Sequence, residues 1–175
     1  AGVSVAAVQL TRGVEVVDLH LETYIPPRLF GYDLHARHDR HWLRGRFFGH
    51  LDFPRALDAG LTGGMWSIAT NIARRAEGRW QALRDNVRGL RAALEQTGGR
   101  FEVVRDHAGY LEARARGAHA ALICVQGGNA YEAAPSAGAL EDVVRVTVMH
   151  LSHSVFGTTS SPVSFGRAGL TAAGR

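Results

Sequence analysis

Four short apolar runs, separated by segments long enough to cross over between them, constrain the fold of this chain more than any other feature. They are VEVVDLH (14–20), LTGGMWSIAT (61–70), AALICVQGGN (120–129) and VRVTVMH (144–150). Each is dominated by β-branched or other apolar residues and reads as a buried strand. Between the second and third, residues 74–97 place Trp80, Leu83, Val87, Leu90 and Leu94 three and four positions apart. That spacing predicts one amphipathic helix, stopped by Gly98 and Gly99. Residues 52–60 read as a short helix, with Asp52 near its start and Gly60 at its end. FEVV (101–104) reads as a short strand, Asp106 as the cap of a helix over 107–116, and 136–142 as a further short helix. Gly63 and Gly64 permit close backbone approach in the second strand. Strands joined through helical crossovers run parallel, so the expected class is α/β, with about four main strands in the order βα-βα-βα-β.

Composition narrows the chemistry. The 175 residues suit one domain but fall short of the about 250 typical of a closed eight-stranded barrel. All 20 basic residues are arginine, which excludes a Schiff base, a lysine nucleophile and a phosphate-binding lysine from this sequence. The formal charge of +4, spread among 16 acidic residues, mildly favours acidic ligands and argues little for nucleic acid. Cys124 lies in the apolar AALICV, reads as a small buried hydrophobe, and leaves no intrachain disulfide to form. No apolar run reaches the length of a membrane span, and AGVSVAAVQL lacks the charged start of a signal peptide. The expectation is a soluble, cytoplasmic globular segment, with a processed start implied by the absence of Met at position 1.

The chemically informative residues sit at strand ends. After Val14, Val16 and Val17 comes Asp18-Leu19-His20-Leu21-Glu22. Alternation places His20 and Glu22 on one face and Leu19 and Leu21 on the other. An imidazole and a carboxylate so placed can both ligate one divalent metal, and zinc accepts mixed N/O donors. The stretch 28–50 carries His35, His38, His41 and His50, with arginines interleaved among Phe30, Tyr32, Trp42, Phe47 and Phe48. Spacings of three drift by about 60° per step around a helix of ~3.6 residues per turn, so these histidines do not share a metal. Asp33, Asp39 and Asp52 dilute the positive charge, and the stretch reads as a loop shaping a pocket. Ser152, Ser154, Thr158, Thr159, Ser160 and Ser161 lack a nucleophile elbow and read as a polar loop.

Taken in order, DLHLE, HLDFPRALDAGLTGGMWSIA, FEVVRDHAGYLEARARGAHAALICVQGGNA, VRVTVMHLSHS and GLTAAGR resemble segments of the membrane (renal) dipeptidase family, zinc metallopeptidases with an amidohydrolase-like barrel. The resemblance covers the family's N-terminal half. It implies the N-terminal half of a (β/α)8 TIM-like barrel with parallel strands, residues 1–175 forming one domain. It implies that His20 is the first metal ligand of an H-x-D motif, with Glu22 in the place of the aspartate. Gln126 stands where the family has a glutamate bridging two zinc ions, before Gly127 and Gly128, which let backbone approach metal or substrate. His150 matches a histidine that contacts the substrate and steadies its developing charge. By the same resemblance the cofactor is zinc, one or two ions. The reaction is metal-assisted hydrolysis of a dipeptide or small amide. The partner is the C-terminal half of a barrel, as an associated fragment, a second segment or a second copy.

Two departures from the family pattern have physical weight. Glu22 keeps the charge of an aspartate but adds a methylene to the arm. Gln126 removes a charge and a ligand oxygen, and a neutral amide leaves the repulsion between two dications uncompensated. The alternative expectation is therefore a metal-poor, non-catalytic relative that binds a peptide or small molecule. A four-stranded piece would also expose open sheet edges.

Overall fold

In a computed structural model, the described residues are 3–22, 24–38, 51–69, 74–136, 138–159 and 169–175. Five strands form one sheet: β1 (Val16–Leu21), β2 (Leu61–Ala69), β3 (Phe101–Val103), β4 (His119–Gln126) and β5 (Val143–Thr147). Every pairing among them is parallel, as the crossover argument requires. The spatial order runs β1-β2-β4, and β4 then pairs with both β3 and β5. β2 occupies one edge of β4 along residues 120–126. The other edge is therefore shared, with β3 on residues 119–121 and β5 on residues 123–126. With β3 set aside, successive main strands are neighbours, the order of a singly wound barrel. The sheet does not close: among the described residues the outer edges of β1 and β5 pair with no strand.

The helices form where the sequence signals place them. α3 (Phe53–Asp58) starts at Asp52, whose side chain accepts from the Arg55 N–H, and Pro54 sits in its first turn. α4 (Ala76–Glu95) buries Leu83, Asn86, Val87, Leu90 and Leu94 along one face. It ends before Gly98 and Gly99, both at positive φ. Trp80, expected on the same face, is half-buried against the Tyr131 ring at 5.7 Å. α5 (His107–Ala115) is capped by Asp106, which accepts from the Gly109 N–H at 2.9 Å.

Three features differ from the sequence reading. α1 (Val5–Arg12) is an extra helix capped by Ser4, and none of its residues is buried. α2 (Ile25–Phe30) follows β1 directly. The helix expected over 136–142 is absent, its described residues making only turns. Gly138 breaks that segment, and Asp142 is held instead by Arg91 and Arg105, with the Arg105 Nη2 at 2.7 Å.

The sheet has two distinct faces. On one, α3 and α4 cover a core of Phe53, Trp66, Ile68, Leu83, Leu90, Leu94, Phe101, Ile123 and Val125. Phe53 and Phe101 meet at 4.6 Å between ring centres, and Trp66 lies edge-on to Phe53 at 5.7 Å. On the other, a smaller cluster joins Val104, Ala113 and Ala118 to Ala120, with Tyr110 and Leu122 packed against it. α5 thus covers the amino-terminal half of the second face. The carboxyl-terminal half of that face carries the candidate site.

Candidate functional site

Strand alternation sorts the residues at the carboxyl end. Trp66, Ile68, Ile123 and Val125 belong to the helix-covered core, so Ser67, Ala69, Cys124 and Gln126 point to the opposite face. Leu21 pairs with Trp66 and joins the same core, which puts His20 and Glu22 on the side of Ser67 and Gln126. The expectation for Leu19 needs correction. β1 spends three residues, Asp18 to Leu21, against two on β2, Gly64 to Trp66. This bulge leaves Leu19 61% exposed while Leu21 is buried, so the two leucines do not share an environment.

His20 Nε2 and Glu22 Oε1 stand 3.7 Å apart. Two donors bound to one tetrahedral zinc, each about 2.1 Å from it, are about 3.4 Å apart, so a small side-chain rotation brings this pair to a shared ion. The Asp18 carboxylate accepts from the His20 N–H at 2.8 Å and pins the backbone below. Glu22 Oε1 and Gln126 Oε1 are both buried, and neither makes a hydrogen bond among the described residues. Two buried, unsatisfied oxygens on one sheet face fit a cation or another electron-poor group between the strand ends. Among the described residues no three His, Cys, Asp or Glu side chains gather into a complete metal set. His20 and Glu22 are thus a partial ligand pair.

The turn after β4 is built for close approach. Gly127 has φ 106°, a conformation that side chains rarely adopt. A Cβ on Gly128 would lie 2.8 Å from the Val148 carbonyl oxygen, so only glycine lets the two strand ends run side by side. The Gly127 and Gly128 N–H groups donate to Thr147 and Val148 at 3.0 and 3.1 Å, carrying the β4–β5 pairing past the strands. His150 follows this ladder, with its Cβ 3.9 Å from where a Cβ of residue 127 would sit. Gln126, Gly127, Gly128 and His150 therefore lie together at the ends of two neighbouring strands. Asn129 is buried and donates to Ser152 Oγ and to the His153 carbonyl at 3.4 Å, tying the two loops together. Arg79 of α4 holds the same turn, donating to the Asn129 carbonyl at 3.2 Å and pairing with Glu132 at 2.6 Å.

The loop after β1 is anchored separately. Arg28 donates to the Ala69 carbonyl at 2.6 Å, fastening α2 over the end of β2. Asp52 is fully buried, accepts from Arg55 Nε at 2.6 Å and from the His38 N–H at 2.9 Å, and caps α3. Burial raises its pKa, but the hydrogen bonds from Arg55 and His38 outweigh this and hold it below the usual carboxylate value. His38 stacks on Tyr32 at 3.9 Å and His35 lies edge-on to Phe53 at 5.0 Å. His41, His50, Trp42, Phe47, Phe48, Asp39, Ser160 and Ser161 lie outside the described residues.

The sequence reading passed over Arg145. It sits in β5 in register with Cys124, two residues before Thr147, which pairs with Gln126. Cys124 is buried, which raises its thiol pKa, while the nearby Arg145 opposes the rise. The alternation of Arg145 and Thr147 with Val144, Val146 and Val148 was the signal available for it.

No protein-family model matches the chain, and no curated protein matches it by sequence. Solved structures do. Dipeptidase AC, a metallopeptidase, superposes with a TM-score of 0.72 at 24% identity, over 92% of this chain and 51% of that one. A metallopeptidase from Rhodobacter sphaeroides, liganded with a phosphinate mimic of the dipeptide L-Ala-D-Ala, gives 0.69 at 23% identity, over 92% and 54%. An amidohydrolase from Pseudomonas aeruginosa gives 0.55 at 17%, over 93% and 42%. The chain has the α/β fold of about half of a dipeptidase-like barrel, and it spans about half the length of these chains. The resemblance read from the sequence and the fold agree at that level. No helix among the described residues is long and apolar enough to cross a membrane.

Proposed function

We propose that this chain is the N-terminal half of a zinc-dependent hydrolase of the dipeptidase type, acting on a dipeptide or other small amide. The observation that carries the reading is the His20–Glu22 pair, 3.7 Å apart at the carboxyl end of β1 with the Glu22 oxygen buried and unsatisfied. His20 and Glu22 would hold zinc, which when bound makes water more acidic and polarises a carbonyl. His150 would contact the substrate and stabilise its developing negative charge. Gly127 and Gly128, free of side chains, would admit the substrate beside Gln126. The rest of the ligand set would come from a second half that pairs with the open edges of β1 and β5. Val17, Leu19, Val146 and Val148, all on those edge strands or just past them, are exposed apolar residues that such a partner would cover.

Gln126 favours a second reading, a relative that binds a peptide or small molecule without cutting it. The test is elemental analysis of the intact purified protein, together with hydrolysis of a dipeptide panel. Stoichiometric zinc that is lost in His20→Ala and Glu22→Ala, with hydrolysis lost in parallel, supports the enzyme. Absence of zinc even after incubation with the metal supports the binding module.

A further inference from the structure

The loop that carries His150 is pinned to the turn after β4 at three points. The Asn129 side chain donates to Ser152 Oγ and to the His153 carbonyl, and the Glu132 carboxylate accepts from the Val155 N–H at 3.0 Å. Those contacts fall two, three and five residues beyond His150. Thr159 closes the loop on itself by donating to the His150 carbonyl.

Both residues that pin the loop are gripped by one side chain, Arg79 of α4. Its Nε donates to the Asn129 carbonyl at 3.2 Å and its Nη2 pairs with the Glu132 carboxylate at 2.6 Å. Its Nη1 donates to the Arg74 carbonyl, just before α4. All three nitrogens of the guanidinium thus have an acceptor. The Arg79 and Glu132 side chains are only 13% and 17% exposed, so water and salt screen the pair weakly. One residue on, the Trp80 ring leans on Tyr131 and holds the same turn against the helix.

A planar fork with donors in three directions suits this junction, and neither lysine nor an apolar residue reproduces it. We infer that Arg79 is a positioning residue, which acts through Asn129 and Glu132 to set where His150 stands beside Gly127 and Gly128. The ladder between the β4 and β5 ends reaches Val148. Past that point the loop meets the β4 turn through Asn129 and Glu132, so loss of Arg79 loosens the loop and lets His150 drift. This inference rests on the reading that His150 faces the ligand, but the brace itself is tested without metal or ligand.

The test compares wild type with Arg79→Lys, Arg79→Met and the charge swap that joins Arg79→Glu to Glu132→Arg, by NMR and amide hydrogen exchange of the intact protein. In Arg79→Met the Val155 amide is expected to exchange about tenfold faster or more, and the His150 ring resonances to shift. The buried Ile123 of β4 is expected to keep its amide protection. Arg79→Lys keeps the charge but not the fork, and is expected to lie between. The charge swap restores an ion pair but leaves the Asn129 carbonyl without a donor and the Val155 N–H without an acceptor. It is therefore expected to recover melting temperature without returning His150 to its wild-type shift.

Unchanged Val155 exchange and His150 resonances in Arg79→Met overturn the inference. So does a wild-type spectrum in the charge swap, which reduces Arg79 to one half of an ion pair. An even loss of protection that reaches Ile123 in both single variants does the same, by making Arg79 a general prop of the fold. Dipeptide hydrolysis is read on the same samples. A fall in kcat with KM little changed in Arg79→Met supports the positioning role, and an unchanged kcat with a displaced His150 overturns it. Absence of hydrolysis in the wild type removes the enzyme reading, while the resonances still decide whether the brace exists.

Discussion

The Trp66 indole N–H donates to His119 Nε2 at 3.1 Å in the centre of the core, and His119 Nδ1 lies 2.9 Å from the Leu61 carbonyl. The tryptophan needs an acceptor at Nε2 and the carbonyl needs a donor at Nδ1, so the ring is neutral with its proton on Nδ1. Burial drives the His119 pKa from 6.5 down to about 4.

Acid stability follows from that pair. Above pH 6.5 the imidazole is neutral whether the chain is folded or unfolded, and its contribution is complete. As the pH falls from 6.5 toward 4 the unfolded chain takes up a proton that the folded chain refuses, and stability drops by up to about 3 kcal/mol. His119→Gln keeps an acceptor for Trp66 and a donor for Leu61 but does not titrate. Urea denaturation at pH 7, 6, 5 and 4.5 is expected to show a flatter pH dependence in His119→Gln. Parallel profiles would mean that this histidine does not govern the acid limb.

Asp52 acts lower on the pH scale. Its pKa is held below 3.8, so its stabilising effect is present above that value and is lost as the pH falls through the lower folded one. Asp52→Asn retains a cap for α3 but leaves Arg55 Nε without its carboxylate. The expected cost at neutral pH is about 2–4 kcal/mol. Thermal melts of the variant should accordingly lie well below wild type at pH 7 and converge on it under strongly acidic conditions.

Gln126→Glu places a carboxylate at the end of β4. On the proposed zinc reading its expected effect is greater zinc uptake, because a carboxylate adds a negative charge and a ligand oxygen that the amide lacks. Metal content by elemental analysis reads this directly. Unchanged content would show that the β4 end contributes nothing to a metal site.

Gly128→Ala forces a Cβ to within 2.8 Å of the Val148 carbonyl oxygen and 3.2 Å of the Val148 Cα, both backbone atoms that cannot rotate away. A loss of about 1–3 kcal/mol is expected, as for other overpacked positions. Displacement of the β5 end should also move the His150 ring resonances in an NMR spectrum. A wild-type melting temperature with an unshifted His150 would contradict the close approach.

Most of the architecture was legible because its signals are local. The spacing of Leu83, Val87, Leu90 and Leu94 needs only 3.6 residues per turn to define a buried helix face. Asp52 and Asp106 cap because an aspartate before a helix has donors within reach. The crossovers enforce parallel strands. α1, a short helix capped by Ser4 that buries none of its residues, was not read from the sequence. The turn at 136–142 was not legible either, because the arginines holding Asp142 come from α4 and from beyond β3.

By itself the sequence determined an α/β chain with parallel strands, the placing of its long helix, and the approach of His20 to Glu22. All of these follow from short-range periodicity and chain connectivity. Only the tertiary structure decided the register. The extra residues in β1 and β5 expose Leu19 while burying Leu21, and turn Arg145 toward the face of Gln126 and Cys124. A bulge is set by how two distant segments pair, and neither segment carries that information alone.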